Sequence, residues 1–551
     1  MTIDQAIQLA LQHHNAGQLQ QAEQIYRQIL QQSPEHPEAL HLLGVLALQV
    51  GRADVAADLI GKAVAGDPQA LYYSNLCEAL RRVGRLDDAE AAARSAIQSS
   101  PQMAVAHVNL GTILLDQQRV NEAEAALRRA VELSPRMANA LTMLGNVLME
   151  KNDLDGAIEH GRRAIAADPT LPAAHNNLAT ALERRGDLEA AEESYRRAIA
   201  LDERFVEALT NLGSLLRKLG RMNGAVECWN RALTIRPSNP DAQWNLALAT
   251  LALGDFEHGW PLYESRFACA HSRRYWREHS VPRWQGESIS GRTILLHAEQ
   301  GLGDTIQFAR FIPILADRGA TVVLECQDAL VELMKTVPGI GKVIATGQSP
   351  PPFDTHLQLM SIPAVLHTRL DTIPARVPYL FADESRAQQW AQRWVNIQGL
   401  KVGLVWAGRP AHEDDSIRSM PLETLAPLGQ LQNVTFFSLQ MGPARDQIAS
   451  LAHTLPLIDL ADDLHDFGDT AAAIQSLDLL ISVDTAPAHL AGAMGKPIWT
   501  LLATAPDFRW MYDRTDTPWY PTMRLFRQKR RGDWSDVVAA VVEQLRAFRR
   551  G

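Results

Sequence analysis

The chain has 551 residues, 46% of them hydrophobic and 21% charged, so it can bury several cores and divides naturally into about three domains. Its net charge of -10 argues against recruitment of nucleic acid or an anionic membrane by a global positive field. Four scattered cysteines, Cys77, Cys228, Cys269 and Cys326, form no CxxC pair and have no histidine at ligand spacing; this argues against a zinc site or a disulfide framework and suits a reducing cytoplasm.

From the first residues the pattern is helical. Met1-Thr-Ile-Asp-Gln lacks a basic leader and runs straight into an amphipathic helix, so no cleaved signal is expected, and no run of about 20 apolar residues is present to span a bilayer. Prolines that close a helix pair recur at Pro34, Pro68, Pro101, Pro135, Pro169 and Pro237, in steps of 34, 33, 34, 34 and 68 residues, with one period skipped at Glu203. Small residues mark where paired helices must approach: Gly44, Gly111, Gly145 and Gly213 in first helices, and Ala22, Ala56, Ala89, Ala123, Ala157, Ala191 and Ala225 in second helices. This is the tetratricopeptide repeat (TPR) pattern, seven repeats and a partial eighth over residues 1–267, which folds as an α-solenoid superhelix with a concave face of first helices.

At one phase of the first helices stand Asn75, Asn109, Asn177, Asn211 and Asn245, interrupted only by Met143. An amide offers both donor and acceptor, which suits an extended peptide backbone; the competing role is to satisfy neighbouring helix ends. The series resembles the asparagine ladder in the TPR groove of protein O-GlcNAc transferases, and that resemblance implies a peptide-binding role.

Periodicity dissolves over 268–291, read as a packed linker with Trp276 and Trp284. Apolar β-branched runs then alternate with helical patterns: strand 293–297, helix 305–317, strand 321–325, a helix near 329–336 and strand 342–345. A second series follows from Lys401, with strands near 402–406, 434–439, 457–460, 479–483, 498–502 and 523–526 and a last helix over 534–548. Alternation of this kind gives parallel sheets, here two of them, with lobes at 292–395 and 396–551.

Ligands of open parallel sheets sit beyond the carboxyl ends of the strands, which directs attention to two loops. One is Glu299-Gln-Gly-Leu-Gly-Asp-Thr305, whose Gly301 and Gly303 allow close backbone approach and whose Asp304 opens a helix. The other is Ser482-Val-Asp-Thr-Ala-Pro-Ala-His-Leu-Ala-Gly, with Asp484, Thr485 and His489. Together with Asp-Thr-Ala-Ala-Ala at 469–473, Pro-Trp-Tyr-Pro at 518–521 and Arg-Leu-Phe-Arg-Gln at 524–528, residues 291–551 resemble the heptosyltransferase-like group of GT-B glycosyltransferases, as found in bacterial TPR-linked transferases.

The resemblance implies a pair of doubly wound Rossmann-like lobes, a nucleotide-sugar donor as substrate, no cofactor and no metal. It implies Asp304 as general base, with Asp484, Thr485 and His489 on the donor sugar and its diphosphate and Gly301 and Gly303 close to the donor. The family's phosphate-binding Lys appears here as Arg418 before Ser-Met-Pro421, and the first lobe is short. Independently of family, a helix beginning near Thr485 offers free N–H groups and a positive dipole end to a diphosphate, to which Arg418 adds a charged contact.

Local structural roles compete at each position: capping for Asp304 and Thr485, a satisfied core position for His489, and a surface charge for Arg418. Trp510, Trp519 and Tyr520 either wall a ligand or fill core. The basic residues Arg527, Lys529, Arg530, Arg531, Arg546, Arg549 and Arg550 read as a solvated face.

The leading expectation is an inverting, metal-independent transfer from a nucleotide sugar to a hydroxyl of a protein acceptor held by the TPR groove, in the cytoplasm of a bacterium. A glycan or lipid acceptor, with the array docking to other machinery, is the second. A scaffold that only senses nucleotide sugar is the third.

Overall fold

A computed structural model describes residues 1–269, 276–277, 279–410, 415–504, 507–512 and 514–548. Arg549 and Arg550 of the basic tail and part of the expected linker lie outside the described residues. The chain divides into two compact units, Met1–Leu215 and Leu216–Gly551, and the division falls within the helix Val206–Lys218.

In the first unit, helices of 13 or 14 residues run in antiparallel pairs, from Ile3–Asn15 and Leu19–Gln32 to Pro172–Arg185 and Leu188–Leu201. The first is opened by a capping box in which Thr2 accepts from the Gln5 N–H and Gln5 returns a bond to Thr2. Each pair closes by contact of small residues. Second-helix Ala22, Ala56, Ala89, Ala123, Ala157 and Ala191 are all buried, and a Cβ on Gly44 or Gly111 would lie 2.5 Å from Ile60 Cγ1 or 2.6 Å from Leu127 Cγ. Gly84 and Gly186 end their helices at φ of 86° and 98°, the left-handed conformation that a glycine reaches without strain. Successive first helices also touch one another, as Pro37–Gln49 does with Ala70–Val83 and Ala138–Glu150 with Pro172–Arg185.

The second unit begins with the last helices of the repeat pattern, Met222–Ile235, Pro240–Ala252 and the short Phe256–Tyr263, followed by a 3-10 turn at Glu264–Phe267. These do not form a separate core. Leu251, Phe256, Trp260 and Tyr263 share one continuous apolar cluster with Ile294, Phe308, Phe508 and Trp519 from the α/β part. Beyond them, Trp284 is fully buried, and its backbone N–H donates to the His356 carbonyl at 2.9 Å.

Two wholly parallel sheets follow. The first has the order β3-β2-β1-β4, with β1 Thr293–His297, β2 Thr321–Cys326, β3 Ile340–Ala345 and β4 Thr355–Gln358. The second has the order β10-β9-β8-β5-β6-β7, from β5 Leu400–Val405, β6 Val434–Ser438 and β7 Leu457–Asp459 through β8 Leu479–Val483 and β9 Ile498–Leu502 to β10 Met523–Arg527. One face of the second sheet is covered by the amphipathic helix Ser535–Ala547 through Val537, Val538, Val541 and Leu545.

Two departures from the expected elements have local causes. The helix expected over 305–317 is two, Leu302–Phe308 and Ile312–Asp317, separated by a 3-10 turn; Pro313, with no N–H and a ring that clashes one turn back, forces a new helix start. Strand β4 has no counterpart among the expected elements, because its His356 and Gln358 interrupt the apolar run although all four residues are buried.

Candidate functional site

Each sheet reverses its strand order once, between β1 and β4 in the first and between β5 and β8 in the second. Parallel sheets open a crevice at such points. The two loops singled out in the sequence follow β1 and β8, so both lie at a reversal.

The loops meet. Helix Leu302–Phe308 packs on helix Ala486–Ala493, and Gly303 permits the approach, since a Cβ there would lie 2.7 Å from His489 Cδ2. Asp304 is the third residue of its helix. One carboxylate oxygen accepts from the Gly301 N–H at 2.7 Å, a capping role, while the other accepts from the guanidinium of Arg509. Arg509 is buried and also donates to Gln307 and pairs with Asp507 at 2.6 Å. Burial pushes the Asp304 carboxyl up from its ordinary value, against the pull of Arg509.

The loop bearing Asp304 is held from below by a second ion pair. Arg266, in the turn that ends the repeat pattern, is wholly buried and donates to both oxygens of Glu299, at 3.0 and 2.8 Å, and to Ser361 at 2.7 Å. Breaking such a buried pair by removing one partner costs about 3–5 kcal/mol, because the other charge is left without compensation.

After β8, Thr485 occupies the cap position of helix Ala486–Ala493, but its hydroxyl bonds to Ser482 Oγ at 2.8 Å and the Val483 carbonyl rather than to the helix. The first turn of that helix is therefore not closed by its own cap side chain. Asp484 accepts from the Trp510 indole N–H at 2.8 Å; burial, reinforced by Asp507, pushes its carboxyl up to about 6. His489 is buried, with Nδ1 2.9 Å from the Tyr520 hydroxyl. Burial, then the nearby charges of Arg509, Arg310 and Arg418, hold its imidazole neutral, so its 3.8 Å approach to Asp484 is not an ion pair.

A cavity of about 180 Å³ lies against this loop and the end of β9. Its wall includes Asp484, Asp507, Thr504 and Arg531 of the second lobe, Arg418, and Arg217 and Lys218 from helix Val206–Lys218. Of the residues named from sequence, Asp484 and Arg418 line it. Asp304, Thr485, His489, Gly301 and Gly303 do not: they stand behind the wall, with Arg509 and Asp507 linking Asp304 to the lining. Arg418 is about a quarter exposed and lies near Asp415 and Gly408.

Sequence reasoning missed Arg509 and Asp507, which sit outside both motifs, and Arg217, which the repeat pattern disguises as a helix-surface charge. It also set Arg531 aside as part of a solvated tail. Trp510, Trp519 and Tyr520 are all 0% exposed, and none of them is in the lining of the cavity.

Each asparagine of the repeat series is half-buried and bonded within the array. Asn75 Nδ2 lies 2.8 Å from His41 Nε2, Asn109 donates to Ser74 at 3.0 Å, Asn211 donates to Asn176 at 3.1 Å and Asn245 to the Asp241 carbonyl at 2.9 Å. Asn177 instead accepts from Asn176 at 3.1 Å. The amides thus satisfy their neighbours through one polar atom each.

A repeat solenoid leading into two parallel α/β sheets with reversal-point loops defines the class, a TPR protein joined to a GT-B-like glycosyltransferase fold. Family comparison agrees: residues 435–532 match the model for glycosyltransferase family 9 (heptosyltransferase), residues 213–254 match a TPR repeat, and residues 3–204 match the C-terminal domain of cilia and flagella-associated protein 70. The chain thus carries TPR-like repeats and a segment similar to glycosyltransferase family 9 (heptosyltransferase).

A curated relative, protein FlbA of Caulobacter vibrioides, is 29% identical over 343 residues, 57% of this chain and 56% of that protein. The match thus spans little more than half the length of the relative. Among solved structures, the APC/C hetero-tetramer Cut9-Hcn1 is similar at 18% identity and a TM-score of 0.40, over 48% of this chain and 52% of that one. A tetratricopeptide repeat protein from Parabacteroides merdae is similar at 14% identity and a TM-score of 0.39, over 45% and 98%. Among the described residues, no helix is long and apolar enough to cross a membrane.

Proposed function

We propose that the chain transfers a sugar, with inversion, from a nucleotide-sugar donor to a hydroxyl of a protein acceptor held by the repeat array. The observation that carries this is the cavity beyond β8 and β9, whose wall holds the cations Arg217, Lys218, Arg418 and Arg531 together with the carboxylates of Asp484 and Asp507. Breaking the bond from an anomeric carbon to a phosphate oxygen leaves a diphosphate, and fixed cations beside an open helix N-terminus stabilise that charge as it develops. In this reading the cationic side chains do the work that a divalent ion does in other transferases.

The acceptor hydroxyl must also lose a proton. Asp304 is the first candidate, a carboxyl made more basic by burial and delivered by the glycine loop after β1. In that role its bond to Arg509 must loosen when substrates bind. A specific observation favours a second reading of the base: Asp484 lines the cavity itself and titrates at about 6, close to the optimum for a general base at neutral pH.

Protein capture rests on the array. Asn75, Asn109, Asn211 and Asn245 each use the amide nitrogen for an internal bond, and in this reading their carbonyl oxygens accept from an extended backbone. Tethering such a groove to a transfer site raises the local acceptor concentration.

The test begins with turnover of UDP-, GDP-, ADP- and CMP-sugars, read by intact-mass analysis of proteins from cells with and without the chain. Asp304→Asn is expected to lower turnover by about 100-fold or more while donor affinity persists. Loss in Asp484→Asn with Asp304→Asn fully active assigns the base to Asp484; absence of turnover and binding with every donor overturns the transferase. Replacing Asn177, Asn211 and Asn245 together by Ala should weaken protein capture and leave donor binding alone. Equal capture removes the asparagines from recognition.

A further inference from the structure

The first sheet carries a polar cluster that no step of sugar transfer uses. Parallel register pairs Leu295 with His356 and His297 with Glu325, so the side chains of His356 in β4, His297 in β1 and Glu325 in β2 fall on one face of three adjacent strands. Over that face runs the segment preceding the sheet, fixed there by the bonds of Arg283 and Trp284 to β4, and it contributes His279. One ring nitrogen from each of His279, His297 and His356 lies within 4.8 Å of the other two.

Three facts distinguish this cluster from a packing accident. His297 Nε2, His279 Nε2 and His356 Nδ1 are all buried and all without a hydrogen-bond partner, and buried polar atoms are rarely left so. The tautomer of His297 is set by Glu325, which accepts from Nδ1 at 3.0 Å and so leaves the lone pair on the orphaned Nε2. Glu325 is itself held in place by Arg277 at 2.6 and 2.7 Å and by the Gly347 N–H at 3.1 Å. A carboxylate behind an imidazole whose other nitrogen faces an empty partner is the outer-shell arrangement of a metal-binding histidine.

We propose that His279, His297 and His356 bind one first-row divalent cation, with zinc the best match, and that the metal staples residues 279–284 to the first sheet. Three neutral imidazoles and no thiolate suit zinc, copper or nickel rather than magnesium or calcium. Tetrahedral zinc at about 2.0–2.1 Å from each nitrogen brings the nitrogens about 3.3 Å apart, so the rings must close and turn slightly out of the near-parallel stack of His279 on His297. Three protein ligands leave a fourth position for water.

The full-length chain, stripped with chelator, is titrated with Zn²⁺ and its metal content measured after dialysis; Co²⁺ replaces Zn²⁺ for visible absorption. One tightly held ion per chain and the intense Co²⁺ bands of a four-coordinate site are expected. His279→Ala and His356→Ala should each weaken binding by about 100-fold and Glu325→Gln by about 10- to 100-fold. The proposal is overturned if the wild-type chain holds no ion, or if His279→Ala retains full stoichiometry, which would place the metal on other histidines such as His13 and His14. Should His356→Ala fail to fold, His279→Ala and the wild-type Co²⁺ spectrum still decide, because His279 stands outside the strands.

Discussion

The same repeat is built in two ways in the two units. In Met1–Leu215 the helix pairs close on alanine and glycine, and the largest wholly buried side chains there are Tyr26 and Tyr195. In the last helices of the pattern, within Leu216–Gly551, the buried positions hold Trp229, Phe256, Trp260 and Tyr263, and an arginine with no exposure ends the run. Small residues let one repeat stack on the next by local contacts whose energies nearly add. Aromatic residues instead commit the last helices to a particular neighbour: Trp260 meets Phe308 of the first lobe edge-on at 6.1 Å, and Phe508 and Trp519 of the second at 5.8 and 6.4 Å. A helix pair that is interchangeable in the array has become part of the α/β core.

That contrast breaks first at Trp260. Trp260→Ala should cost about 3–5 kcal/mol, because a ring shared by three elements leaves a cavity that none can fill alone. Denaturation of the full chain followed by fluorescence and far-UV circular dichroism should show the loss in Leu216–Gly551 and not in Met1–Leu215. An equal loss in both, or a loss below about 1 kcal/mol, would mean that Trp260 is no more committed than an array residue.

Two glycines sharpen the comparison. Gly111→Ala and Gly303→Ala introduce a Cβ at nearly the same distance from its obstacle, 2.6 Å from Leu127 and 2.7 Å from His489. Each should cost about 1–3 kcal/mol by overpacking. Leu127 can turn within one repeat, so Gly111→Ala should leave donor binding untouched. His489 is fixed by Tyr520 and packed on Trp510, so Gly303→Ala should also lower donor affinity, measured by calorimetry.

How much of this was legible in the sequence follows the same division. A 34-residue period repeats its own evidence, so the helix pairs and their close-packed alanines could be read directly, as could strands β1, β8 and β9 at their observed bounds. The reversal-point loops were found because glycines and helix-start residues mark them locally. Arg509 and Arg217 were not, since what makes each of them important is a partner or a wall about 200 residues or more away in the chain, Asp304 for one and Asp484 for the other. The histidine cluster was invisible for the same reason: His279, His297 and His356 follow no ligand spacing, and only sheet register and a crossing segment bring them together. The asparagines show the converse, a clear period in sequence whose amides turn out to be partly spent on neighbouring helices.

The smallest effect expected distinguishes a carboxylate kept for chemistry from one kept for structure. The Asp484 carboxyl titrates near 4 in an unfolded chain and at about 6 when folded. Between those values the folded state holds the extra proton, so stability falls as pH rises through the window and stays level above it. Asp484→Asn keeps an acceptor for the Trp510 N–H and removes the charge. The variant should therefore be more stable than the parent by about 1–2 kcal/mol at pH 7.5, a shift of a few degrees in the melting transition of the second unit, with the gap closing toward pH 4. The ion pairs of Met1–Leu215 behave oppositely, since Glu78 and Glu124 are held below their ordinary values by Arg81 and Lys151 and stabilise only once ionised. Such a cost at neutral pH, on a residue that lines the cavity, is the outcome that the proposed role toward a ligand predicts. If Asp484→Asn instead melts lower than the parent at pH 7.5, the carboxylate is a structural acceptor, and Asp304 is the stronger candidate for the base.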